Sequence, residues 1–285
     1  MNNIIEIDKL KKQYDGFALN EVSFHLQAGY IGGFVGPNGA GKTTTIKAIL
    51  GIIRPDSGQV KIMGEEVKEG TAKEFIGVVM DNPFYVEDWR IKDVEAAVSP
   101  FYSQWNSTQF HSYLKQFHIQ TNKKVKELSR GMKVKLQMAV ALSHGARLLV
   151  LDEPTSGLDP VARDEICGML QDFVSDENHA VLFSTHITAD LEKIADFITF
   201  ISDGEIWYSG TKDELLEKYV RISGNPREIP ENQKARIIGY REHSTGFEGM
   251  IQATDSRQFS SKFLIEPVTL DEIIIFINKG RKNDE

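Results

Sequence analysis

The stretch Gly36-Pro37-Asn38-Gly39-Ala40-Gly41-Lys42-Thr43-Thr44 decides the fold, because it has the residues and spacing of a phosphate-binding loop. It follows an apolar run, residues 31–35, that predicts a buried strand, and it leads into residues 45–50, which predict a helix ending at Gly51. Glycines let backbone N–H groups turn toward an anion, and the helix N-terminus adds partial positive charge there. Strand, loop and helix in this order favour a nucleotide site over a glycine-rich turn without a ligand.

The residues of this loop from Asn38 to Thr44 are predicted to hold a nucleotide. Lys42 is expected to reach the terminal phosphates, and the Thr43 hydroxyl is expected to hold Mg²⁺. The residues predicted to contact the nucleotide are Asn38, Gly39, Ala40, Gly41, Lys42, Thr43 and Thr44.

A second motif, Leu148-Leu149-Val150-Leu151-Asp152-Glu153, is an apolar strand that ends in two carboxylates. Ligand sites of doubly wound sheets lie at the carboxyl ends of their strands. Asp152 is therefore predicted to hold magnesium opposite Thr43, and Glu153 to act on the water that attacks the γ-phosphate. The alternative is an acidic cap between a strand and a turn.

Composition limits the classes of function. The chain has 285 residues, 41% of them hydrophobic and 26% charged, which is ordinary for a globular protein, and its net charge is −8. An acidic balance argues against general binding of nucleic acid. A single cysteine, Cys167, suits a reducing compartment. We expect no membrane span, because no apolar run approaches the length of about 20 residues that a bilayer requires.

The third motif indicates a family. The residues Leu128-Ser129-Arg130-Gly131-Met132 precede an amphipathic helix. Together with the first two motifs, they make the chain resemble the nucleotide-binding subunits of ATP-binding cassette (ABC) proteins. The signature motif of those subunits reads LSGGQ, and this chain has LSRGM at the corresponding place. The resemblance covers about residues 2–215. It implies ATP and Mg²⁺ as ligands, and ATP hydrolysis as the activity. Taken without the family, Ser129 is a helix N-cap.

The resemblance also implies roles for single residues. Ser129, Arg130, Gly131 and Met132 would contact ATP held by a second subunit, and Asp159, in Ser156-Gly157-Leu158-Asp159, would lie in the loop that crosses between subunits. Glu153 and His186 are the implied catalytic residues, with His186 bonding the γ-phosphate and orienting Glu153 and the water. Tyr14 is implied to stack on adenine.

Three positions depart from the family pattern. Arg130 replaces a glycine of the signature, and Met132 replaces its glutamine. Arg130 would bring a guanidinium near the phosphates or across the seam between subunits. In the family, the loop that corresponds to the one after Val79 usually supplies a glutamine that contacts magnesium; here that glutamine is replaced by Asp81, with Asn82 beside it. Asp81 is the predicted metal contact, and Asn82 is the alternative.

The predicted fold is α/β: a P-loop NTPase core with a mixed sheet, an antiparallel β subdomain, a helical subdomain over residues 84–145, and a small C-terminal α+β extension. The nucleotide-binding domain is predicted over residues 1–216 and the extension over 217–285. Strands are expected at residues 4–7, 19–26, 58–64, 75–80, 148–151, 180–184, 198–201 and 205–208, and in the extension at 236–240 and 249–253 before a helix at 270–278. The extension either regulates or stabilises the dimer, or is a terminal addition with no regulatory role.

The variant signature, the loop at residues 81–85 and the C-terminal segment resemble bacterial exporter ATPases of the bacitracin-exporter kind. That resemblance implies two cassettes that sandwich two ATPs, as a homodimer or a heterodimer, and a separately encoded transmembrane permease. It also implies a peripheral location on the cytoplasmic face of the membrane, export of a drug, peptide or amphipathic molecule, and no nucleic-acid partner. The competing class is an ABC ATPase of DNA repair or of ribosomes, which usually has coiled-coil insertions, tandem cassettes or basic surfaces.

An aromatic cluster directly follows the predicted metal-contacting loop. Pro83, Phe84, Tyr85 and Trp89 are predicted to line a groove that receives a helix of the permease. The alternative is that these residues are ordinary core aromatics.

Overall fold

The computed structural model describes residues 3–68, 74–81 and 85–282, with side chains described as far as residue 278. Asn82, Pro83 and Phe84, which carry predictions above, lie outside the described residues. The chain divides into two compact units, residues 1–209 and 210–285. This division falls a few residues before the predicted domain boundary at 216.

The strands and helices follow in chain order. The strands are β1 Asn3–Tyr14, β2 Phe17–Gln27, β3 Ile31–Val35, β4 Ser57–Ile62, β5 Glu65–Glu66, β6 Ile76–Val79, β7 Leu148–Asp152, β8 Ala180–Thr185, β9 Phe197–Ser202, β10 Glu205–Thr211, β11 Tyr219–Gly224, β12 Ile238–His243, β13 Gly246–Gln252 and β14 Leu264–Pro267. The helices are α1 Lys42–Ile49, α2 Ile91–Val98, α3 Ser107–Gln116, α4 Arg130–Leu142, α5 Pro160–Val174, α6 Thr188–Ile194, α7 Lys212–Lys218, α8 Glu231–Lys234 and α9 Leu270–Lys282.

The central sheet positions the site. In the part of the chain that the structure describes, its order is β10-β9-β3-β8-β7-β6, with β3 parallel to β8 and β9, and β7 parallel to β6 and β8. Strands β3, β7 and β8 are buried along their whole length, as expected for parallel strands covered on both faces. The register pairs Val35 with Thr185 and Asp152 with Ser184. The residues that follow β3, β7 and β8 therefore lie side by side at the carboxyl ends of these parallel strands, a region called the sheet edge below.

A second sheet, of order β2-β1-β4-β5 among the described residues, pairs β1 with β2 and β4 in antiparallel fashion. Its buried residues, such as Leu10 and Val22, share one core with Phe34 of β3 and Ile46 of α1. This shared core fixes the helix that follows the phosphate-binding loop against both sheets.

Helices α2, α3 and α4 have a separate core. Its buried members include Ile91, Phe110 and Leu136, and the partly buried Tyr85 and Met132 pack against it. The α4 helix also lies against β6, so the helical region is joined to the central sheet.

The C-terminal unit is α+β. Strand order is β12-β13-β11-β14 within the described chain, and helix α9 packs on β12. Its core contains Ile222, Phe247 and Ile251. Within residues 3–68, 74–81 and 85–282, no helix combines the length and apolar character that crossing a membrane requires.

Candidate nucleotide-binding site

The phosphate-binding loop joins β3 to α1 and leaves the helix N-terminus uncapped. Gly41 is the N-cap residue, its φ is 110°, and no side chain caps the helix. A Cβ on Gly41 would lie 2.5 Å from the Leu19 side chain, so both the backbone angle and the packing require glycine here. The uncapped N–H groups of the first turn are suited to bind phosphate oxygens.

Lys42 lies at the centre of the site. Its Nζ donates to the carbonyl oxygens of Gly36 at 2.8 Å and Pro37 at 3.2 Å, and it lies 3.6 Å from Oε1 of Glu153. Burial lowers the pKa of the Lys42 ammonium, and the carboxylates of Glu153 and Asp152 oppose that shift. A cation held by neutral carbonyls at the uncapped helix N-terminus is well suited to bind a terminal phosphate.

Thr43 and Asp152 meet across the site. The Thr43 hydroxyl donates to Oδ2 of Asp152 at 2.8 Å, while Oδ1 of Asp152 is buried and has no hydrogen-bond partner. A buried carboxylate oxygen without a partner beside a hydroxyl is a donor pair that suits a hard cation such as Mg²⁺. The described residues contain no group of three acidic, histidine or cysteine side chains that could hold a metal.

Glu153 has a strained backbone. Its φ is 54°, in the left-handed region that a glutamate seldom occupies. The conformation is held by its N–H, which donates to the carbonyl of Ser184 at 2.9 Å. This turn directs the side chain back over the sheet edge, where Oε1 faces Lys42 and Oε2 faces His186.

His186 follows β8 and is bound to Glu153. Its Nδ1 lies 2.7 Å from Oε2 of Glu153, and its backbone N–H donates to the same oxygen at 3.4 Å. The imidazole is 48% exposed, so Nε2 is open to a ligand. A charged imidazolium donates from both nitrogens and can therefore bond Glu153 and a phosphate together.

The signature residues form a second group on α4. Ser129 is the N-cap of this helix and accepts a hydrogen bond from the Met132 N–H at 3.3 Å. Ser129 and Arg130 are exposed, whereas Met132 is partly buried against the helical core. Gly131 faces Leu158, since a Cβ there would lie 3.5 Å from its side chain.

Arg130 and Asp81, two of the predicted site residues, form an ion pair. Arg130 Nη2 lies 2.5 Å from Oδ1 of Asp81. The guanidinium also covers Gly157, where a Cβ would lie 3.0 Å from Nη1 of Arg130. The roles predicted for Arg130 at a phosphate and for Asp81 at a metal stay predictions.

Asp159 and Tyr14 lie at the ends of other elements. Asp159 is the N-cap of α5, and its Oδ1 accepts from the N–H groups of Val161 and Ala162 at 3.0 Å each. Tyr14 ends β1, is 42% exposed, and pairs with Phe17 in the hairpin. The Phe17 ring in turn faces the loop, because a Cβ on Gly41 would lie 2.9 Å from it.

Apart from Asp159 and Tyr14, the predicted side chains therefore fall into two groups. Lys42, Thr43, Asp152, Glu153 and His186 form one connected set at the sheet edge. In the described part of the chain, the side chains of Ser129 and Arg130 bond only within α4 and to Asp81, and not to that set.

Sequence reasoning missed Phe17 and Gln137. Gln137 is 5% exposed on α4, and its amide makes two hydrogen bonds of 3.0 Å with the backbone N–H and carbonyl of Met80. In the sequence, Gln137 could have been noticed as the one amide side chain in an otherwise apolar run from Leu136 to Ala141. Phe17 gave no comparable signal.

Comparisons with known proteins agree with this geometry. The sequence model of the family described as ABC transporter matches residues 19–156. The chain is 32% identical to the bacitracin transport ATP-binding protein BcrA of Bacillus licheniformis over 224 residues, which is 76% of this chain and 73% of BcrA. It is 33% identical to the lantibiotic transport ATP-binding protein SrtF of Streptococcus pyogenes over 232 residues, which is 81% of this chain and 97% of SrtF.

A solved structure of an ATP-binding subunit of an ABC transporter has the same fold. It superimposes with a TM-score of 0.68 and 25% sequence identity, over 74% of this chain and 91% of that structure. The predicted α/β fold class is confirmed by this match.

Proposed function

This chain belongs to the ATP-binding proteins of ABC transporters, and from that premise we propose that it is the ATP-hydrolysing subunit of a bacterial exporter. The chain is an ATPase subunit of a transporter by its family. We propose further that its cargo is exported, and that this cargo is a drug, a peptide or another amphipathic molecule. The relatives named for bacitracin and lantibiotic transport support this class of cargo.

The contact of Glu153 with both Lys42 and His186 carries the catalytic proposal. Lys42 and the N–H groups that open α1 bind the terminal phosphates of ATP. Glu153 accepts a proton from the attacking water, since its carboxylate lies between the phosphate-binding lysine at 3.6 Å and the histidine at 2.7 Å. His186 holds Glu153 through Nδ1 and offers Nε2 to the γ-phosphate. Thr43 and Asp152 would hold Mg²⁺, which neutralises charge that develops on the phosphates.

We further propose that two cassettes pair to complete each ATP site. The supporting observation is that exposed Ser129 and Arg130 make no side-chain bond to the set at the sheet edge among the described residues. Each α4 N-terminus would bind ATP held by the other subunit. The second cassette is a copy of this chain or a similar chain. Both cassettes lie at the cytoplasmic face of the membrane, where a separately encoded transmembrane permease receives the motion.

Substitution of Glu153 by glutamine tests the catalytic proposal. The amide keeps the size of the side chain but cannot accept the proton, so ATP turnover should fall by at least about 100-fold while ATP binding is kept. Glu177→Gln, an exposed substitution next to the amino end of β8, is the matched control and should leave turnover unchanged. Turnover of Glu153→Gln at the parent rate would show that another group activates the water.

A further inference from the structure

Helix α4 is attached to the end of β6 at two points of unlike strength. The first is buried: the Gln137 amide holds the backbone of Met80 through two hydrogen bonds of 3.0 Å. The second is exposed: Arg130 pairs with Asp81, the next residue along the chain from Met80, and the two side chains are 50% and 46% exposed. Gln137 and Arg130 are two helical turns apart and lie on one face of α4.

The exposed contact has an unusual electrostatic setting. Arg130 occupies the first turn of α4, which contains no acidic residue. A cation at a helix N-terminus is unfavourable, whereas an anion there is stabilised by the helix dipole. The Asp81 carboxylate supplies that anion from outside the helix, and a phosphate oxygen would satisfy Arg130 and the helix N-terminus in the same way.

From this arrangement, and resting on the paired cassettes proposed above, we propose that Asp81 is a positioning residue that holds Arg130 in the unpaired subunit. When two subunits close, Arg130 exchanges the Asp81 carboxylate for a phosphate of the ATP bound to the other subunit. Gln137 stays bonded to Met80 and serves as the pivot about which α4 turns. An exposed ion pair is weak enough for this exchange, whereas the buried amide contact is not.

The contact with Gly157 supports the same role. Arg130 covers this glycine in the segment between β7 and α5, so release of the guanidinium also uncovers Gly157. The two departures from the family pattern, Asp81 and Arg130, thus act as one unit: each supplies the partner that the other requires.

The test uses the full chain with Glu153→Gln, in which hydrolysis is blocked, and measures pairing by sedimentation over a range of ATP concentrations. Asp81→Asn removes the carboxylate charge and frees Arg130, so half-maximal pairing should need about two- to fivefold less ATP. The matched control is Glu87→Gln, which breaks the exposed pair of Glu87 with Lys133 on the same helix and should leave the midpoint unchanged.

The double variant Asp81→Arg with Arg130→Asp exchanges the two charges. It tests whether the Arg130–Asp81 pair opens when two subunits close or stays formed. It restores the ion pair but offers a carboxylate to the phosphate, so pairing should be lost. Normal pairing of this double variant, or an unchanged or higher ATP midpoint for Asp81→Asn, would overturn the proposal. A raised Mg²⁺ requirement in Asp81→Asn would place Asp81 at the metal and overturn it as well. Failure of Glu153→Gln itself to pair would instead overturn the paired cassettes on which the proposal rests.

Discussion

Arg163 of α5 and Asp190 of α6 form a partly buried ion pair that joins the helix after Asp159 to the helix after His186. Nε and Nη2 of Arg163 donate to Oδ1 of Asp190 at 3.1 and 2.6 Å, and the Asp190 side chain is only 8% exposed. The second oxygen, Oδ2, is buried without a partner. The carboxylate therefore depends on Arg163 for its charge compensation.

Substitution of Arg163 by leucine should destabilise the N-terminal unit by about 2–3 kcal/mol. Removal of one partner leaves a buried charge unpaired, and the expected cost lies just below the range of about 3–5 kcal/mol for fully buried pairs because Arg163 keeps some contact with water. Urea unfolding measures the effect. The double variant Arg163→Leu with Asp190→Leu should be more stable than Arg163→Leu alone, since it removes the unpaired charge.

Lys193→Met is the matched control, because Lys193 of α6 pairs with Asp164 of α5 at the surface. Loss of such an exposed pair should lower the free energy of unfolding much less than loss of the Arg163–Asp190 pair, because solvent screens the two charges. Equal destabilisation by Lys193→Met and Arg163→Leu would contradict the assignment of a buried charge to Asp190.

A mixture of two defective subunits should recover activity if copies of this chain pair. Lys42→Ala removes a phosphate ligand from the first group, and Ser129→Ala removes a hydroxyl from the second. In a mixed pair, one ATP site combines the intact loop of the Ser129→Ala subunit with the intact Ser129 of the other subunit. We expect the mixture to hydrolyse ATP faster than either variant alone at the same total concentration.

ATP binding by each variant alone and the rate of the mixture together decide whether copies of this chain pair. ATP binding to unpaired Ser129→Ala should match the parent protein, whereas Lys42→Ala should bind ATP more weakly, because only Lys42 belongs to the subunit's own phosphate loop. A mixture whose rate never exceeds the average of its two components would contradict pairing between copies of this chain.

The elements around the site could be predicted because their residues are apolar throughout. The strand predicted at residues 31–35 is β3 as observed, and the carboxylates were expected at the end of β7, where the structure has them. Buried parallel strands leave little ambiguity, since each is a short apolar run beside a turn or loop. The position of Asp152 beside Thr43 followed from the same rule.

The C-terminal unit was harder to predict. Strands β11 and β14 were missed, because they are short and only partly buried: three of the four residues of β14 are exposed. Contacts between distant residues were also out of reach. Arg130 and Asp81 are 49 residues apart, and Gln137 and Met80 are 57 apart. Only the packing of α4 on β6 brings either pair together.

A substitution at Trp89 tests the predicted permease groove better than one at Tyr85, because it changes the surface without disturbing the core. Trp89 is 38% exposed, whereas Tyr85 packs against the helical core, and burial raises the pKa of its hydroxyl. Trp89→Glu should reduce co-purification with the permease without affecting folding. Tyr85→Glu should lower the stability of the fold, because it buries a charge.

Tyr30→Glu is the control for Trp89→Glu, because Tyr30 is similarly exposed, at 39%, and lies just before β3. The phosphate-binding loop follows the other end of that strand. Its co-purification should match that of the parent protein. If Trp89→Glu co-purifies as well as Tyr30→Glu does, Trp89 is not part of the permease contact.

Cys167, the single cysteine of the chain, should be unreactive in the folded protein. It is 1% exposed, and burial, with help from the Asp190 carboxylate, raises the pKa of its thiol to about 11. Since the thiolate is the reactive form, an aromatic disulfide reagent at pH 8 should label the folded protein at least about 100-fold more slowly than the protein in urea. Equal rates would contradict the burial of this side chain.

The same pKa predicts how Cys167 affects stability at alkaline pH. The folded state favours the neutral thiol, so the stabilisation is complete below the pKa of an unfolded thiol, about 8.5, and is lost as the pH rises toward 11. Urea unfolding between pH 8 and 10.5 should therefore show a steeper loss of stability in the parent protein than in Cys167→Ala, which has no thiol to ionise. Parallel curves for the two proteins would show that the thiol has the same pKa in both states.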